Sequence, residues 1–297
     1  MRLTATESRI LLDALGAADS AQQKALLQMT TGKRVNVSSD DPAAAAVQVQ
    51  TASRLSGCDQ FLRSIGSLSG ELQTADSALS SCVTTLQRAI AVGVLGANGT
   101  LSQQDREALA AEVKGISDQV LGIANQSYNG HFLFAGTADS QQPYVLDPNV
   151  PGGVRYQGND SVNQIEVEQG HTVAMNLPGS KLFSAPGASV FQALSDLANA
   201  LETGVAIDTA TQSVRTAYDQ LTTARVFYGS AITQLDSDQN FLHNEKLQLQ
   251  QTTNDNVGVD MNAAAVNMVN AQNARAAALQ AAAQTGSLSL LDYLPNR

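Results

Sequence analysis

Side chains that could perform chemistry are few in this chain, and their spacing does not suit a reaction. The three histidines, His131, His171 and His243, form neither an HExxH motif nor any other spacing typical of metal ligation. Gly32-Lys33 lacks the earlier glycine and the following Ser or Thr of a phosphate-binding loop. We find no GxSxG motif and no GxGxxG motif linked to a strand. The sequence therefore predicts no catalytic residue, no cofactor and no metal site, and we do not expect an enzyme.

Cys58 and Cys82 are the only cysteines, and both fall within one continuous helical pattern. At a rise of about 1.5 Å per residue, an intact helix separates them by about 36 Å. A disulfide needs Cα atoms within about 7 Å of each other. We therefore expect two thiols that pack as small side chains.

The composition favours long helices packed side by side over one deep globular core. The 297 residues include no Trp and only 4% aromatic residues, whereas Ala, Gln, Ser and Thr are abundant. The formal net charge of -10 argues against nucleic acid as a partner, because no basic cluster is available to displace phosphate counterions. No uninterrupted apolar run reaches the roughly 18 residues of a membrane span. We expect neither membrane insertion nor a Sec-type signal peptide.

A short segment near the N-terminus, residues 31–42, carries a helix stop followed by a helix start. Its glycine stands where a helix C′ glycine belongs, and the two basic residues after it can interact with the last carbonyls of that helix. Either of two aspartates can cap the next helix, with a proline at its first position. An ordinary interhelical loop is the alternative. We call this segment the joint, and its candidate residues are Gly32, Lys33, Arg34, Asp40, Asp41 and Pro42.

Three stripes of apolar residues, spaced alternately three and four apart, predict long helices that pack on one another. They run from Leu55 to Ile90, from Leu109 to Ile123 and from Val214 to Leu249. Ser102 with Asp105 resembles a capping box at the start of the second helix. Each stripe needs the others in order to be buried.

The middle of the chain changes from a helical pattern to period two. Residues 164–168 and 171–177 alternate apolar with polar side chains on either side of Gly170, which predicts a β-hairpin. Prolines in this region exclude long helices. The predicted fold is therefore mainly α, with elongated coiled-coil rods, paired terminal helices and a small β-rich insert.

The two terminal segments, residues 5–30 and 261–282, carry thin seams dominated by alanine. Burying an alanine methyl contributes only about 0.8 kcal/mol, whereas ordering one backbone residue costs about 1 to 2 kcal/mol. We expect these helices to be barely stable as an isolated pair and suited to tight packing among many helices, as in a polymer. A plain intramolecular coiled coil remains the alternative.

The string TGKRVNVSSDDPAAAA resembles the N-terminal signature of the flagellin superfamily, in which a helix, a TGKR joint and an SDDPA helix start recur. Within that superfamily, YNGHFLFAGT, YQGND, NLPGSKLF and the ending LSLLDYL resemble the junction proteins between hook and filament. The resemblance covers nearly the whole chain. The PNR that follows LSLLDYL departs from the pattern.

The resemblance implies a structural axial protein of the bacterial flagellum, exported by the flagellar type III system with a cytoplasmic chaperone. Implied partners are other copies of the chain in a ring, hook-associated protein 1 and flagellin. It also implies three domains. These are a terminal coiled coil of residues 1–42 and 256–297, a helical rod of residues 43–134 and 191–255, and an outer β-rich domain of residues 135–190.

The terminal helices are then expected to make the contacts between subunits. The candidate contact residues are Leu11, Leu15, Met29, Met261, Met268, Leu279, Leu291, Tyr293 and Leu294. Three other functions stay open on the sequence. They are a flagellin filament subunit, a helical signalling or chaperone module that binds partners through its rods, and a hydrolase located in the β-rich insert.

Overall fold

The computed structural model describes residues 5–168 and 170–291, with side chains described for residues 9–168 and 170–283. Seven α-helices account for most of these residues: α1 Ala5–Thr31, α2 Pro42–Gly96, α3 Gln103–Ala124, α4 Gly179–Leu182, α5 Val190–Thr203, α6 Ile207–Val257 and α7 Met261–Leu291. Six short strands lie between α3 and α4: β1 Ser127–Tyr128, β2 His131–Phe132, β3 Tyr144–Leu146, β4 Val154–Tyr156, β5 Gln164–Glu168 and β6 His171–Ala174. The expected class, mainly α with a small β region, is confirmed.

The chain forms two compact units. The terminal unit comprises Met1–Gly57 with Glu245–Arg297, and the central unit comprises Cys58–Asn244. The predicted limits at residues 43 and 255 fall near ends of α2 and α6, and the strands belong to the same unit as the helices around them. The division into three domains stays a prediction.

The core of the central unit is built from the predicted stripes. Ile65, Leu72, Leu79 and Leu86 of α2 are fully buried, and they lie seven residues apart, as every second member of the predicted stripe does. Helices α3, α5 and α6 contribute further buried aliphatic side chains, which include Val113, Val120, Leu194, Leu197, Val214 and Leu221. The capping box predicted for α3 is present, with the Ser102 side chain accepting from the N–H of Asp105.

The strands form three antiparallel pairs rather than one sheet: β1 with β2, β3 with β4, and β5 with β6. The predicted hairpin is the third pair, with Ile165 opposite Val173 and Gly170 at positive φ after a β-bulge. The Leu177 N–H, just after the hairpin, donates to the Tyr228 hydroxyl of α6 at 3.3 Å. The β region is thus attached to the helical core of its own unit.

Both cysteines are buried in α2, and burial raises the pKa of the Cys82 thiol to about 12. Among the described residues, α2 is also long and apolar enough, by length and composition alone, to cross a membrane. The expectation of no membrane span rested on the absence of an uninterrupted apolar run. A helix buried in a protein core can be equally long and apolar. The buried leucines of α2 belong to the core of the central unit.

Candidate assembly surface and joint

The joint begins where α1 ends. Gly32 adopts a φ of +68° and donates its N–H to the Gln28 carbonyl at 3.0 Å, as a C′ glycine does. Its own carbonyl accepts from the Val259 N–H at 3.1 Å, and Lys33 forms an isolated antiparallel bridge with Gly258. The end of α1 is therefore fastened by backbone pairing to the segment between α6 and α7.

Asp40 binds both α1 and the backbone in the middle of the joint. Its Oδ1 lies 2.8 Å from the Lys24 ammonium of α1, and its Oδ2 accepts from the N–H groups of Asn36 and Val37. The hydrogen bond from Lys24, with those two N–H groups, lowers the pKa of Asp40 to about 2. Asp40 therefore links the joint back to α1 instead of capping α2.

Asp41 is the N-cap of α2, with Pro42 at the first helical position. Its Oδ1 accepts from the Ala44 N–H at 3.1 Å, and this bond, with Arg34, lowers the pKa of Asp41. The Arg34 guanidinium donates to Asp41 Oδ2 at 3.0 Å and to the Asn256 carbonyl at 2.8 Å. Arg34 thus contacts the last turn of α6, whereas the sequence predicted the last carbonyls of α1.

Side-chain packing in the joint is small. Val35, Ala44 and Val257 form a buried cluster, with Ala45 packed against it. Two aliphatic side chains and a methyl bury little apolar area. Ion pairs and backbone hydrogen bonds therefore carry much of the connection between α1, α2 and α6.

Helices α1 and α7 pack against each other through small side chains. Ala18 and Ala25 of α1 and Ala264 and Ala271 of α7 are buried. Arg275 pairs with Asp19 across the two helices, and each of these side chains is more than a third exposed. The seam of the pair is therefore thin, as the sequence predicts, and the Arg275–Asp19 contact is largely solvated.

Large aliphatic side chains lie exposed on the same two helices. Leu12 of α1 is 68% exposed, and Val266 of α7 is 59% exposed. We call the set the terminal apolar surface, and it comprises Ile10, Leu12, Leu26, Leu27, Met261, Val266, Val269 and Leu279. Exposed aliphatic side chains on two adjacent helices make this set a candidate interaction surface.

The predicted contact residues divide between the seam and this surface. Met261 and Leu279 are exposed, whereas four others are half-buried: Leu11, Leu15, Met29 and Met268. The side chain of Leu291 lies outside the described residues, as do Tyr293 and Leu294 entirely. Sequence reasoning missed the other six residues of the terminal apolar surface because it followed the heptad seam. The signal that could have found them is a large aliphatic residue at a helical position outside that seam.

Histidine, cysteine and carboxylate side chains do not cluster as metal ligands in the part of the chain that the structure describes. Among the residues that the structure describes, no cluster of three His, Cys, Asp or Glu side chains could hold a metal ion. His131 and His171 each lie near one aspartate, Asp139 at 3.1 Å and Asp238 at 3.8 Å, while His243 is exposed.

Known proteins similar to this chain are flagellar. Residues 3–139 match the family described as the bacterial flagellin N-terminal helical region. Flagellar hook-associated protein 3 of Escherichia coli (strain K12) is 28% identical over 289 residues, which cover 89% of this chain and 90% of that protein. Flagellar hook-associated protein 3 of Salmonella typhimurium is 33% identical over 159 residues, 53% of this chain and 49% of that protein, so this match spans about half of its length.

A solved structure has the same fold. The crystal structure of the flagellar junction protein FlgL from Legionella pneumophila aligns with a TM-score of 0.61 at 16% identity, and it covers 72% of this chain and all of that one. At this identity the match concerns the fold alone.

Proposed function

Because this chain resembles the bacterial flagellin N-terminal helical region and the proteins named flagellar hook-associated protein 3, we propose that it belongs to the flagellin superfamily and serves the flagellum. It is a structural axial protein that joins the hook to the flagellin filament. The relatives are structural proteins, and the proposed role needs no catalytic step and no cofactor.

The terminal apolar surface is the observation that supports this role most directly. The α1–α7 pair buries mainly alanine methyl groups in its own seam and leaves larger aliphatic side chains, such as Leu12, Leu26 and Val269, in contact with water. In a tube of subunits, neighbouring copies would cover these side chains and add the apolar contact that the seam lacks. We therefore propose that residues 5–30 and 261–285 make the contacts between subunits.

The specific partners follow from the same proposal. On the hook side the chain contacts hook-associated protein 1, on the filament side it contacts flagellin, and copies of the chain form a ring. The family resemblance supports export through the flagellar type III channel with a dedicated chaperone. The joint then links the inner terminal helices to the helical rod, and residues 128–190 face outward.

Two substitutions on the terminal apolar surface test the proposal. Leu26→Gln with Val269→Gln replaces exposed side chains, so the thermal melting of the isolated chain should change little. In a strain that lacks the wild-type copy, the variant should be exported but should fail to incorporate into flagella, because the polar amides disfavour burial between subunits. Electron microscopy of flagella and immunoblots of culture medium measure the two outcomes.

A matched control carries the same chemical change elsewhere. Val49→Gln with Val226→Gln alters side chains that are 72% and 68% exposed on α2 and α6, and it should leave incorporation intact. Normal incorporation of the Leu26/Val269 variant would contradict the proposed contact surface.

Immunolabelling of wild-type flagella separates the alternative functions. A label at the hook tip supports the junction role, a label along the filament indicates flagellin, and retention in the cytoplasm indicates a signalling module.

A further inference from the structure

A cavity of about 230 Å³ is lined by residues of the central unit. Helix α2 forms one wall, the β1–β2 turn forms a second, and the segment around the β5–β6 hairpin forms a third. Its lining is largely polar and includes Glu71, Tyr128, His131, Asp139, Met175 and Asn176. Pockets for drug-sized ligands typically measure about 300–1,000 Å³, so this cavity suits one side chain.

The cavity carries more negative than positive charge. Asp139 is paired with His131, whose Nδ1 lies 3.1 Å from Asp139 Oδ2. Glu71 supplies a second carboxylate. Burial raises the pKa of Glu71, His131 opposes that rise and Asp139 adds to it. Ionisation of Glu71 in the folded protein therefore costs free energy, and a cation bound in the cavity would lower that cost.

A buried amide lines the same cavity. Asn176 is only 4% exposed, and its Oδ1 accepts from the Asn163 N–H at 2.9 Å, which fixes the orientation of the amide. Its Nδ2 is buried and has no hydrogen-bond partner among the described residues. A buried donor without a partner costs about 1 to 3 kcal/mol. A carbonyl oxygen brought by a ligand would satisfy it.

The Tyr128 side chain packs against the backbone of α2. A Cβ at position 70 would lie 2.5 Å from the Tyr128 hydroxyl, so a larger residue there would require the Tyr128 ring to shift. Tyr128 and Phe132 line the cavity beside Glu71. Aromatic faces next to carboxylates favour an organic cation.

We propose that this cavity binds an arginine side chain of a partner polypeptide. The planar guanidinium has five N–H donors and can address Glu71 and Asp139 together, whereas a lysine ammonium is a compact and strongly hydrated charge. The same residue brings a peptide carbonyl, the acceptor that Asn176 Nδ2 lacks. The described residues offer no set of three ligands that would favour a metal ion instead.

Titration of the whole chain with a minimal probe tests this inference independently of assembly. The probe is N-acetyl-arginine N-methylamide, and the signal is the ¹³C-methyl resonance of Met175, which lines the cavity and is one of five methionines. Met175→Leu assigns the resonance. We expect a saturable shift that weakens as the pH falls through the pKa of Glu71, because a protonated carboxyl no longer attracts the cation.

Comparison of binding affinities between isosteric probes and between variants decides whether the inference holds. Glu71→Gln should weaken binding about tenfold, as expected for loss of a charge-assisted hydrogen bond, and Asp139→Asn should weaken it less. Asp118→Asn makes an equal charge change at an exposed position of α3 outside the cavity, and it should have no effect. The citrulline analogue should not bind. Equal binding by the citrulline or lysine analogue, or an unchanged affinity in both Glu71→Gln and Asp139→Asn, would overturn the inference.

A separate experiment identifies the polypeptide that supplies the arginine. A Met175 shift that grows with protein concentration in the absence of probe identifies a second copy of this chain. A shift produced only by the probe indicates a partner of another sequence. Saturable binding supports the inference in both cases.

Discussion

The two units of this molecule are built from helices of similar pattern but very different cores. In the central unit the buried seam of α2 carries Ile65, Leu72, Leu79 and Leu86. In the terminal unit the fully buried positions described between α1 and α7 are alanines, such as Ala25 and Ala264, and several larger aliphatic side chains are exposed. Periodicity alone therefore does not decide whether a helical pair is stable, because the volume at the seam positions sets how much apolar area is buried.

The contrast suggests that the two units differ in what stabilises them. The central unit buries enough apolar area to hold its own fold, whereas the terminal pair gains from a partner surface. Under the proposed export and assembly, the chain benefits if its terminal helices become fully stable only in the polymer. Four predictions test this comparison.

The largest expected effect is a difference in local stability between the two units. In the isolated monomer, amides of residues 10–29 and 264–282 should exchange with opening free energies close to zero, while those of residues 65–90 should approach the global value of roughly 5 to 15 kcal/mol. Hydrogen exchange of dilute monomer measures both, and the same peptides in assembled flagella should become protected. Equal protection of both regions in the monomer would support a stable intramolecular coiled coil instead.

Removing one large side chain from each unit should show the same contrast at smaller scale. Leu72→Ala removes a fully buried side chain of α2 and should destabilise the chain by about 2 to 5 kcal/mol. Leu12→Ala makes the same chemical change at a position that is 68% exposed and should alter stability by less than about 0.5 kcal/mol. Urea unfolding followed by circular dichroism gives both values, and similar losses would contradict the comparison.

The sequence was sufficient for the parts of the fold that depend on local pattern. The stripe of α2, the Ser102–Asp105 capping box and the hairpin around Gly170 all follow from spacing and propensity. Contacts between distant residues did not follow. The bond from Arg34 to the Asn256 carbonyl joins residues 222 positions apart, and only the fold brings Asn176 to the cavity that Glu71 lines.

A charged pair inside the central seam should give a moderate effect. The Arg225 guanidinium binds Asp76 through two hydrogen bonds of 2.8 and 3.0 Å, at positions that the heptad pattern would give to apolar residues. Arg225→Gln leaves Asp76 without this partner and should cost about 1 to 2 kcal/mol, since both side chains are about one-third exposed. Urea unfolding with the exposed Arg215→Gln as control measures it. A loss no larger than the control's would show that solvent already compensates the pair.

The smallest expected effect concerns the joint of the terminal unit and depends on pH. Asp40 has an ordinary pKa of 3.8, which the Lys24 ammonium and two backbone N–H groups lower to about 2. A lowered carboxyl pKa stabilises the folded state above the ordinary value, and this stabilisation is lost as the pH falls through the pKa in the folded state. Between about pH 4 and pH 2, hydrogen exchange in the joint and at the end of α1 should therefore speed up in the wild-type chain beyond the intrinsic pH dependence of exchange.

Asp40→Asn isolates this contribution from the other carboxyl groups that titrate in the same range. The amide cannot form the ion pair with Lys24, so the variant should exchange faster in the joint at neutral pH and should lose the extra acceleration in acid. Because the pair is solvated, raising the salt concentration should narrow the difference between variant and wild type at neutral pH. Asp118→Asn serves as the charge-matched control in the central unit, where no change in the joint is expected. An Asp40→Asn variant that kept the full acid response of the wild type would show that Asp41 and its bond to Arg34, rather than Asp40, hold the joint to its helices.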